Sequence, residues 1–317
     1  MKNQDFNQID FNTLKPYQLP KWRRGLLRLL SYVKTYWKDD KSYLTIYYLI
    51  RLGKLINWRN PKTFTEKLNW LKIHNRKDEY TRMVDKLQAK EFAAERISSE
   101  YIIPTIGVWN SFDEIDFSKL PDRFVLKTTH GGGTTGVVVC KDISKFDKKS
   151  AKAKIDSSMR KDLFVNSREW PYKNVRKRIL AEEYIEDKNG HQDDYKIFCF
   201  NGGVKFLKIV FNNSTGHHAN FYNKKWELLP FYEADVLPDP HAEISAPDNF
   251  EKMIEIAEKL SEGIPFLRVD LYNLDGKIFF GETTFYPAGG WDFYAPKDAD
   301  EYIGALMDLG IKGGSSF

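Results

Sequence analysis

Hydrophobic residues in the first part of the chain recur every three to four positions, the spacing that places them on one face of a helix. Arginines and lysines occupy the other faces of this segment. The apolar positions are Leu26, Leu29, Leu30, Val33 and Trp37. We therefore predict a helix here, and a second apolar helix from Tyr43 to about Ile56.

The next segments also predict helices. Between Pro61 and Arg76, Thr63 stands three residues before Glu66, the arrangement of a capping box at a helix start. The charge-rich segment Glu79–Ile97 is predicted to be helical as well.

Beyond Tyr101 the pattern changes to short β-rich runs with few helices between them. Hairpin turns are predicted at Asn201-Gly202-Gly203 and at Asp275-Gly276, where apolar residues alternate on both sides. Antiparallel strands with segregated helices predict an α+β fold rather than a doubly wound parallel sheet. The runs are Phe124–Lys127, Val137–Cys140, Ile179–Tyr184, Tyr195–Phe200, Val204–Phe211, Phe266–Leu271 and Ile278–Glu282.

Composition excludes several classes of protein. The 317 residues, 42% hydrophobic and 15% aromatic, supply a large core, so a disordered or low-complexity chain is excluded. Cys140 and Cys199 lie in apolar runs and are expected to be reduced core thiols. The polar start, Met1 to Leu19, lacks a signal-peptide core, and no long apolar window predicts a membrane span. We expect a soluble cytoplasmic protein, and the tail Gly313–Ser316 reads as a flexible end.

Charge is distributed unevenly. A net charge of +5, from 49 basic and 44 acidic residues, is too weak to indicate nucleic acid. However, Lys21–Arg59 contains ten basic residues and two acidic ones, Asp39 and Asp40. This segment is either a helical extension packed on the main domain, or a surface that contacts anionic lipid or a lipid-linked substrate at the inner face of the membrane.

A glycine-rich turn follows the predicted strand that ends at Lys127. Glycines allow backbone N–H groups to approach an anion, and the lysine adds a positive charge for a phosphate. The Gly-Lys-Ser/Thr order of a Walker loop is missing, and a simple flexible turn is the alternative. The turn contains His130, Gly131, Gly132, Gly133 and Gly136.

Charged residues also end two other predicted strands. Glu182 and Glu183 end an apolar strand, which could equally be an ordinary edge strand. Asp194 and Lys196 alternate onto one face of a hairpin that also carries Lys208, although lysines on hairpins are usually solvated.

The predicted hairpin around Asp275-Gly276 combines two carboxylates. Asp270 on one strand can face Glu282 on the other, with Thr284 on the same side as Glu282. Such a pair repels unless a cation lies between the groups, and hard oxygen ligands near a phosphate loop suit Mg²⁺. A bond from Arg268 to the carboxylates is the structural alternative.

Taken together, these segments resemble the ATP-grasp enzymes. More narrowly, "FTEKLNWLKIHNR", "DRFVLKTTHGGG", "REWPYKNVRKRILAEEYIED", "DYKIFCFNG" and "FLRVDLYNLDGKIFFGETTFYPAGG" resemble the TupA-like ATP-grasp family over roughly residues 58–310. The resemblance implies an α+β ATP-grasp fold. Residues 1–80 would form an N-terminal basic helical extension, and residues 81–317 the ATP-grasp domain. Its glycine-loop lobe would span about 121–183 and its metal-site lobe about 184–310.

The resemblance also implies roles in ATP binding. Lys86 and Lys127 would hold the α- and β-phosphates, and the glycine loop would close over them with His130 as a phosphate donor. Backbone groups of Glu183 and Ile185 would contact adenine, and Tyr184 would pack nearby. The ribose would be contacted by Glu182 or Asp194.

Further implied roles concern the metal and the reaction. Mg²⁺ would bind Asp270 and Glu282, and Thr284 stands where many ATP-grasp ligases have an asparagine ligand. Lys196 and Arg268 would neutralise an acyl phosphate. Weaker candidates for the substrate site are Lys208, which would face the acceptor carboxylate, and the loop glycines Gly289 and Gly290.

The implied reaction is ATP- and Mg²⁺-dependent joining of a carboxylate to an amine through an acyl phosphate. Family context suggests a hexuronic acid of a capsule, O-antigen or cell-wall polymer, joined to an amino acid or amine. The alternatives are a glycosyltransferase, a sugar phosphotransferase and a non-enzymatic binding module. Asp298-Ala-Asp300 matches the Asp-x-Asp motif of metal-dependent glycosyltransferases but lies at a predicted helix start. His217-His218 is expected in a polar loop, with a place at the acceptor site as the alternative.

Overall fold

The computed structural model describes residues 14–188, 194–213 and 216–311. These residues form nine α-helices and eleven β-strands. The helices are α1 (Lys21–Val33), α2 (Asp40–Leu52), α3 (Phe64–His74), α4 (Glu79–Val84), α5 (Gln88–Ile97), α6 (Lys148–Met159), α7 (Leu163–Ser167), α8 (Phe250–Ser261) and α9 (Ala299–Ala305). The strands are β1 (Thr105–Trp109), β2 (Phe124–Thr128), β3 (Val137–Cys140), β4 (Ile179–Glu183), β5 (Asp194–Phe200), β6 (Gly203–Asn213), β7 (Gly216–Asn223), β8 (Tyr232–Glu233), β9 (Phe266–Leu274), β10 (Lys277–Thr284) and β11 (Tyr294–Ala295).

The chain divides into two compact units, each built from separated segments. The first unit comprises Met1–Asn75, Asp194–Leu271 and Thr284–Phe317, and the second comprises Arg76–Asp193 and Tyr272–Thr283. The division falls within β9 and β10, so both strands contribute residues to both units.

The second unit contains an antiparallel four-stranded sheet in the order β1-β4-β2-β3. Because side chains alternate along a strand, Phe124 and Leu126 of β2 point into the core, where Ile179 and Ala181 of β4 meet them. Lys127 therefore lies on the opposite face of the same sheet.

The first unit has a core of aromatic rings. Phe198, Phe200 and Phe206 of β5 and β6 pack against Phe266 of β9 and Phe221 of β7 at centroid distances of 4.7–6.0 Å. The sheet that contains these strands has the order β10-β9-β5-β6-β7, and β8 pairs separately with β11.

The predicted α+β class is confirmed, and each predicted β-run corresponds to a strand. Both hairpin turns are present as well. Asn201 and Gly202 have φ of 50° and 80°, and Asp275 and Gly276 have 51° and 82°. Positive φ at both central residues is the signature of the type I′ turn that Asn-Gly and Asp-Gly favour.

Helix predictions are confirmed with three changes. The first helix, α1, ends at Val33, so Trp37, predicted on its apolar face, lies beyond it. Thr63 and Glu66 form the capping box that starts α3. The second helix ends at Leu52, earlier than predicted, because Gly53 adopts a left-handed φ of 75° and caps it. The single helix predicted over Glu79–Ile97 is in fact two, α4 and α5, separated at Asp85–Leu87.

Some further expectations also meet the structure. His217 and His218 lie on β7, where they pair with Asn212 and Phe211 of β6. The predicted polar loop is therefore wrong. Cys140 and Cys199 are free and buried, as predicted. In the described ranges, no helix is long and apolar enough to cross a membrane. Met1 to Thr13, His191 and the tail Gly313–Ser316 lie outside the described residues.

Candidate active site

The glycine loop joins β2 to β3 in the second unit, and two of its glycines are required by close packing. A Cβ atom at Gly131 would lie 2.6 Å from the hydroxyl of Thr128 and 2.8 Å from the carbonyl of Thr135. Gly136 has a φ of 75°, and the hydroxyls of Thr128 and Ser158 fill the space beside it. By contrast, Gly133, with a φ of 56°, faces open space.

His130 of this loop points inward. Its Nε2 lies 3.1 Å from the backbone carbonyl of Ser158, so Nε2 is assigned as the protonated nitrogen. Burial lowers the pKa of His130, and the ring is neutral near pH 7. Its role as a phosphate donor stays a prediction.

Lys127 shares a carboxylate with a lysine that the sequence analysis did not identify. Lys127 and Lys90 bind opposite oxygens of Glu182, at 2.5 and 2.7 Å. Burial acts to raise the pKa of Glu182, but the two ammonium groups outweigh it and hold the pKa below the usual value. Burial lowers the pKa of Lys90 despite this partner. Lys90 also donates to the carbonyl of Ile103, at 2.6 Å.

The sheet register explains this grouping. Glu182 pairs with Val125 across β4 and β2, so Lys127, two residues further along β2, reaches Glu182 diagonally. A cavity of about 80 Å³ opens on this face. Its wall brings together four residues predicted to contact nucleotide. They are Lys127, Glu182, Glu183 and Ile185, and the lining also includes Ile103, Val125, Val137, Val139 and Tyr272.

Tyr184 lies elsewhere in the second unit. Its ring packs under the guanidinium of Arg123 at 4.3 Å, and its hydroxyl donates to Glu186 at 2.8 Å. Lys141 lies 5.4 Å from the same ring.

Lys86 is positioned at the break between α4 and α5. Its backbone N–H donates to the carbonyl of Thr129, beside the glycine loop, at 2.9 Å. The preceding Asp85 is buried, accepts from the backbone of Leu87 at the start of α5, and receives a hydrogen bond from Arg178 at 2.9 Å. The ammonium group of Lys86 forms an ion pair with Glu282 of β10.

A second cluster, which we call the carboxylate cluster, lies in the first unit. Arg268 donates two hydrogen bonds of 2.7 Å to the two oxygens of buried Asp270, and a third of 3.1 Å to Thr284. Lys196 forms ion pairs with Asp194 and, at 3.4 Å, with Asp270.

The charges of this cluster shift one another's pKa values. Burial acts to raise the pKa of Asp270, but Arg268 and Lys196 hold it below the usual value. Burial and then the neighbouring charge of Asp270 raise the pKa of Asp194. Burial acts to lower the pKa of Lys196, and the carboxylates of Asp270 and Asp194 raise it overall. The cluster therefore holds an ionised Asp270 between two cations.

Lys208, the weaker candidate for the acceptor, is already engaged. Its ammonium group contacts both oxygens of Glu233, at 2.6 and 2.8 Å, and both side chains are buried. Burial and the nearby Glu233 raise the pKa of Asp292 to about 8, the effect of Lys208 notwithstanding. Asp292 stands two residues after Gly290, the second glycine of the loop predicted to contact the substrate.

That loop is held by the first unit's own helix α3. Lys72, which is fully buried, donates to the carbonyl of Gly289 at 2.5 Å, and its ammonium lies 4.0 Å from the ring centre of Trp291. Asn69 donates to the carbonyl of Gly290 at 3.0 Å. Ala288 just before them has a φ of 45°, so the backbone turn is left-handed even at a residue with a Cβ.

The donor set fits Mg²⁺. Among the described residues, no group of three or more histidine, cysteine, aspartate or glutamate side chains could hold a metal by itself. Mg²⁺ commonly takes one or two protein carboxylates and completes its shell with phosphate oxygens and water. Asp270 and Glu282 are hard oxygen donors on β9 and β10, neighbours in strand order, and both face cationic side chains in their own units. Whether their carboxylates face each other stays a prediction.

The α+β fold, the glycine turn after Lys127, the Arg-x-Asp strand and the Glu-x-Thr strand that follows it are the features by which the sequence resembles the ATP-grasp class. The sequence model of the TupA-like ATP-grasp family matches residues 66–308, more than half of the chain. The chain therefore belongs to the TupA-like ATP-grasp family, as the sequence analysis predicted.

Solved structures also match the chain, at low identity. The D-alanine–D-alanine ligase from Bacillus anthracis, complexed with ATP, is 13% identical, covers 64% of this chain and has a TM-score of 0.37. The D-alanine–D-alanine ligase from Helicobacter pylori is 13% identical over 72% of this chain, with a TM-score of 0.41. The L-amino acid ligase from Bacillus licheniformis is 13% identical over 82%, also with a TM-score of 0.41.

The matched parts cover 54%, 61% and 54% of these three proteins, in the same order, so the chain spans less than two thirds of their length. No curated protein matches the chain.

Proposed function

We propose that this protein is an ATP- and Mg²⁺-dependent carboxylate–amine ligase, and that it joins an amino acid or another amine to a hexuronic acid of a surface polysaccharide. One observation carries the reaction class: each predicted metal-binding carboxylate forms an ion pair, inside its own unit, with a cation predicted to hold a phosphate or to neutralise the acyl phosphate. Lys86 pairs with Glu282, and Arg268 and Lys196 pair with Asp270. Membership of the TupA-like ATP-grasp family supports the same reaction class.

In the second unit, Lys86 and Lys127 would bind the α- and β-phosphates. The ion pair with Glu182 orients Lys127, and both residues line the cavity. Backbone groups of Glu183 and Ile185, at the same cavity, would contact adenine. Thr128 and Ser158 hydrogen-bond each other at 2.8 Å and hold the base of the glycine loop that would cover the phosphates.

In the first unit, Arg268 and Lys196 would stabilise the developing charge. The acceptor carboxylate oxygen attacks the γ-phosphorus, and the bond from that phosphorus to the β–γ bridging oxygen breaks as ADP leaves. The amine nitrogen then attacks the acyl carbon, phosphate leaves with its oxygen, and the nitrogen loses a proton. Positive side chains next to the migrating group lower the barrier because they stabilise its charge without reorganising.

Asp270 and Glu282 would hold Mg²⁺, with Thr284 near them on β10. When bound, the ion would neutralise phosphate charge and orient the triphosphate. The hydroxyl oxygen of Thr284 accepts a hydrogen bond from Arg268, so Thr284 would bind the metal more weakly than the two carboxylates.

The two cysteines and His130 are poorly suited to act as covalent nucleophiles. Burial raises the pKa of Cys199 to about 12 and also raises the pKa of Cys140. His130 is neutral and bonded to the carbonyl of Ser158. These observations support direct attack of the substrate carboxylate on ATP rather than a covalent enzyme intermediate.

The Asp298-Ala-Asp300 motif, which suggested the glycosyltransferase alternative, has a structural role at Asp300. Asp300 of Asp298-Ala-Asp300 accepts hydrogen bonds from the backbone and hydroxyl of Thr65, at 2.9 and 2.7 Å, and pairs with Lys54. It therefore joins α9 to α3 as a structural residue in the first turn of α9. The uronic acid rests on the resemblance alone.

Two measurements test the proposal. Calorimetry should show saturable Mg²⁺-dependent binding of ATP to the wild type and its loss in Lys127→Ala and Glu282→Ala. Lys119→Ala, which removes an exposed lysine of the same unit, is the matched control. Mass spectrometry of reactions with panels of uronic acids and amines should then find an amide together with ADP.

Other products would overturn the proposal. Binding of a UDP-sugar in place of ATP would support the glycosyltransferase alternative. Formation of ADP together with a phosphorylated sugar would support the phosphotransferase alternative. If no amide forms with any combination of uronic acid and amine, the proposal that the acceptor is a uronic acid is wrong.

A further inference from the structure

Helix α1 presents an apolar stripe to solvent. Trp22, Leu26, Leu29 and Val33 follow one another at intervals of four, three and four residues, so they lie on one face of the helix. Their exposed fractions are 62%, 41%, 64% and 45%. The helix is anchored through a different side, since Leu30 is buried in a core with Tyr43 and Leu44 of α2.

Exposed basic side chains occupy the polar face of α1, on the other side of the helix from this stripe. Lys21, Arg24 and Arg28 are exposed on the same helix, and α1 contains no acidic residue. The two acidic residues of Lys21–Arg59 both belong to the start of α2. Asp39 accepts hydrogen bonds from the backbone of Lys41 and Ser42, and Asp40 occupies the first turn. The surface of α1 is therefore apolar and positively charged.

We propose that the exposed face of α1 docks on the surface of an anionic lipid bilayer. A helix with a tryptophan and leucines on one face and basic residues on its polar face has the pattern of helices that lie in the plane of a membrane interface. The apolar side chains would enter the boundary between headgroups and acyl chains, and the charges of Lys21 and Arg28, the exposed basic residues of α1 nearest the stripe, would be attracted to the lipid phosphates. Charge complementarity selects this occupant over a second copy of the chain, because two copies of α1 would bring like charges together.

Vesicle sedimentation tests the proposal with the full chain. The wild type should sediment with vesicles of phosphatidylcholine mixed with phosphatidylglycerol, and much less with phosphatidylcholine alone. Leu26→Glu should lower binding by about tenfold or more, because it replaces an inserted apolar side chain with a charge. Ile311→Glu makes the same change at a residue that is also 41% exposed but lies outside α1, and should bind as the wild type does.

A second variant separates charge from apolar insertion. Lys21→Gln combined with Arg28→Gln should lower binding to the anionic vesicles by about 30-fold, since each basic residue near such a surface contributes about a factor of five. Circular dichroism confirms that each variant is folded, and ATP binding is measured in parallel because the docking does not depend on the ATP site.

The proposal is overturned if the wild type stays in the supernatant with anionic vesicles, or if Leu26→Glu sediments as the wild type does. Equal loss in Ile311→Glu would also overturn it. Light scattering covers the other occupant: a wild-type dimer that Leu26→Glu converts to a monomer, without vesicle binding, would show that the face pairs two copies of the chain.

Discussion

The ammonium group of Lys86 and the carboxylate of Glu282 form an ion pair within the second unit, and the backbone positions both residues. The N–H of Lys86 donates to the carbonyl of Thr129, and the hydroxyl of Thr283, next to Glu282, donates to the carbonyl of Met83 at 2.6 Å. These two hydrogen bonds hold the backbone at Lys86 and next to Glu282, so the ion pair does not depend on two flexible side chains meeting at the surface.

We expect Lys86→Met to weaken ATP binding by about tenfold to a hundredfold. A hydrogen bond to a charged group contributes about 1.5–3 kcal/mol, and a phosphate contact from Lys86 is of this kind. Calorimetry with Mg²⁺ measures the change. Lys119→Met, at an exposed lysine, should leave the affinity unchanged. An unaltered dissociation constant for Lys86→Met would contradict the assignment of Lys86 to the phosphates.

Glu182→Gln should destabilise the protein by about 3–5 kcal/mol at pH 7. The substitution leaves Lys90 and Lys127 facing a neutral amide, and breaking a buried ion pair on one side costs about this much. Urea unfolding of the wild type and the variant measures the difference. Glu183→Gln changes the neighbouring exposed carboxylate and should cost far less.

The pH dependence of this difference has a defined sign. The pKa of Glu182 is lowered in the folded state, so its contribution is fully present above the usual glutamate pKa of 4.5. That contribution is lost as the pH falls through the lowered value. The stabilities of the wild type and Glu182→Gln should therefore converge in acid, and a constant difference down to pH 2 would contradict this origin.

The elements that surround the candidate site could be predicted because local patterns determine them. The Asn201-Gly202 and Asp275-Gly276 turns fix two hairpins by their backbone preferences, and the capping box of Thr63 and Glu66 fixes the start of α3. Strand alternation then predicts which face each side chain takes, as for Lys127.

Long-range partners could not be predicted in this way. Lys90 and Lys72 lie on helices with no local sign that distinguishes them from solvated lysines, and their partners come from distant parts of the sequence. Lys90 meets Glu182, and Lys72 meets the carbonyl of Gly289. A helical lysine can be identified as buried only once the neighbours that pack against it are known.

We expect Lys72→Met to destabilise the protein by about 1.5–3 kcal/mol. Methionine fills a similar volume but leaves the carbonyl of Gly289 without this charged donor. It also removes the cation above the ring of Trp291. Urea unfolding measures the loss, with Lys38→Met, at an exposed lysine, as the control. A variant as stable as the wild type would show that buried Lys72 costs as much to desolvate as its contacts return.

Asp292 should make the stability of the protein fall as the pH rises towards 8. Burial and the nearby carboxylate of Glu233 raise its pKa from the usual 3.8 to about 8. The register of β8 and β11 accounts for this closeness, since Glu233 pairs with Tyr294, two residues after Asp292, and Ala234 donates to the carbonyl of Phe293 at 2.7 Å. Between the two pKa values the unfolded chain has released the proton that the folded chain keeps, so each pH unit favours unfolding.

Asp292→Asn removes the titrating carboxyl group and so tests this pH dependence. The stability of the variant relative to the wild type should increase from about pH 5 to about pH 8, by up to about 1.4 kcal/mol per pH unit for the one proton concerned, and then level off. Urea unfolding at one-unit intervals from pH 5 to pH 9 gives both curves. Asp298→Asn, at an exposed acid, should run parallel to the wild type. If the Asp292→Asn curve also runs parallel, the carboxyl is ionised in the folded protein at neutral pH, and the group formed with Lys208 and Glu233 carries one more negative charge than we infer.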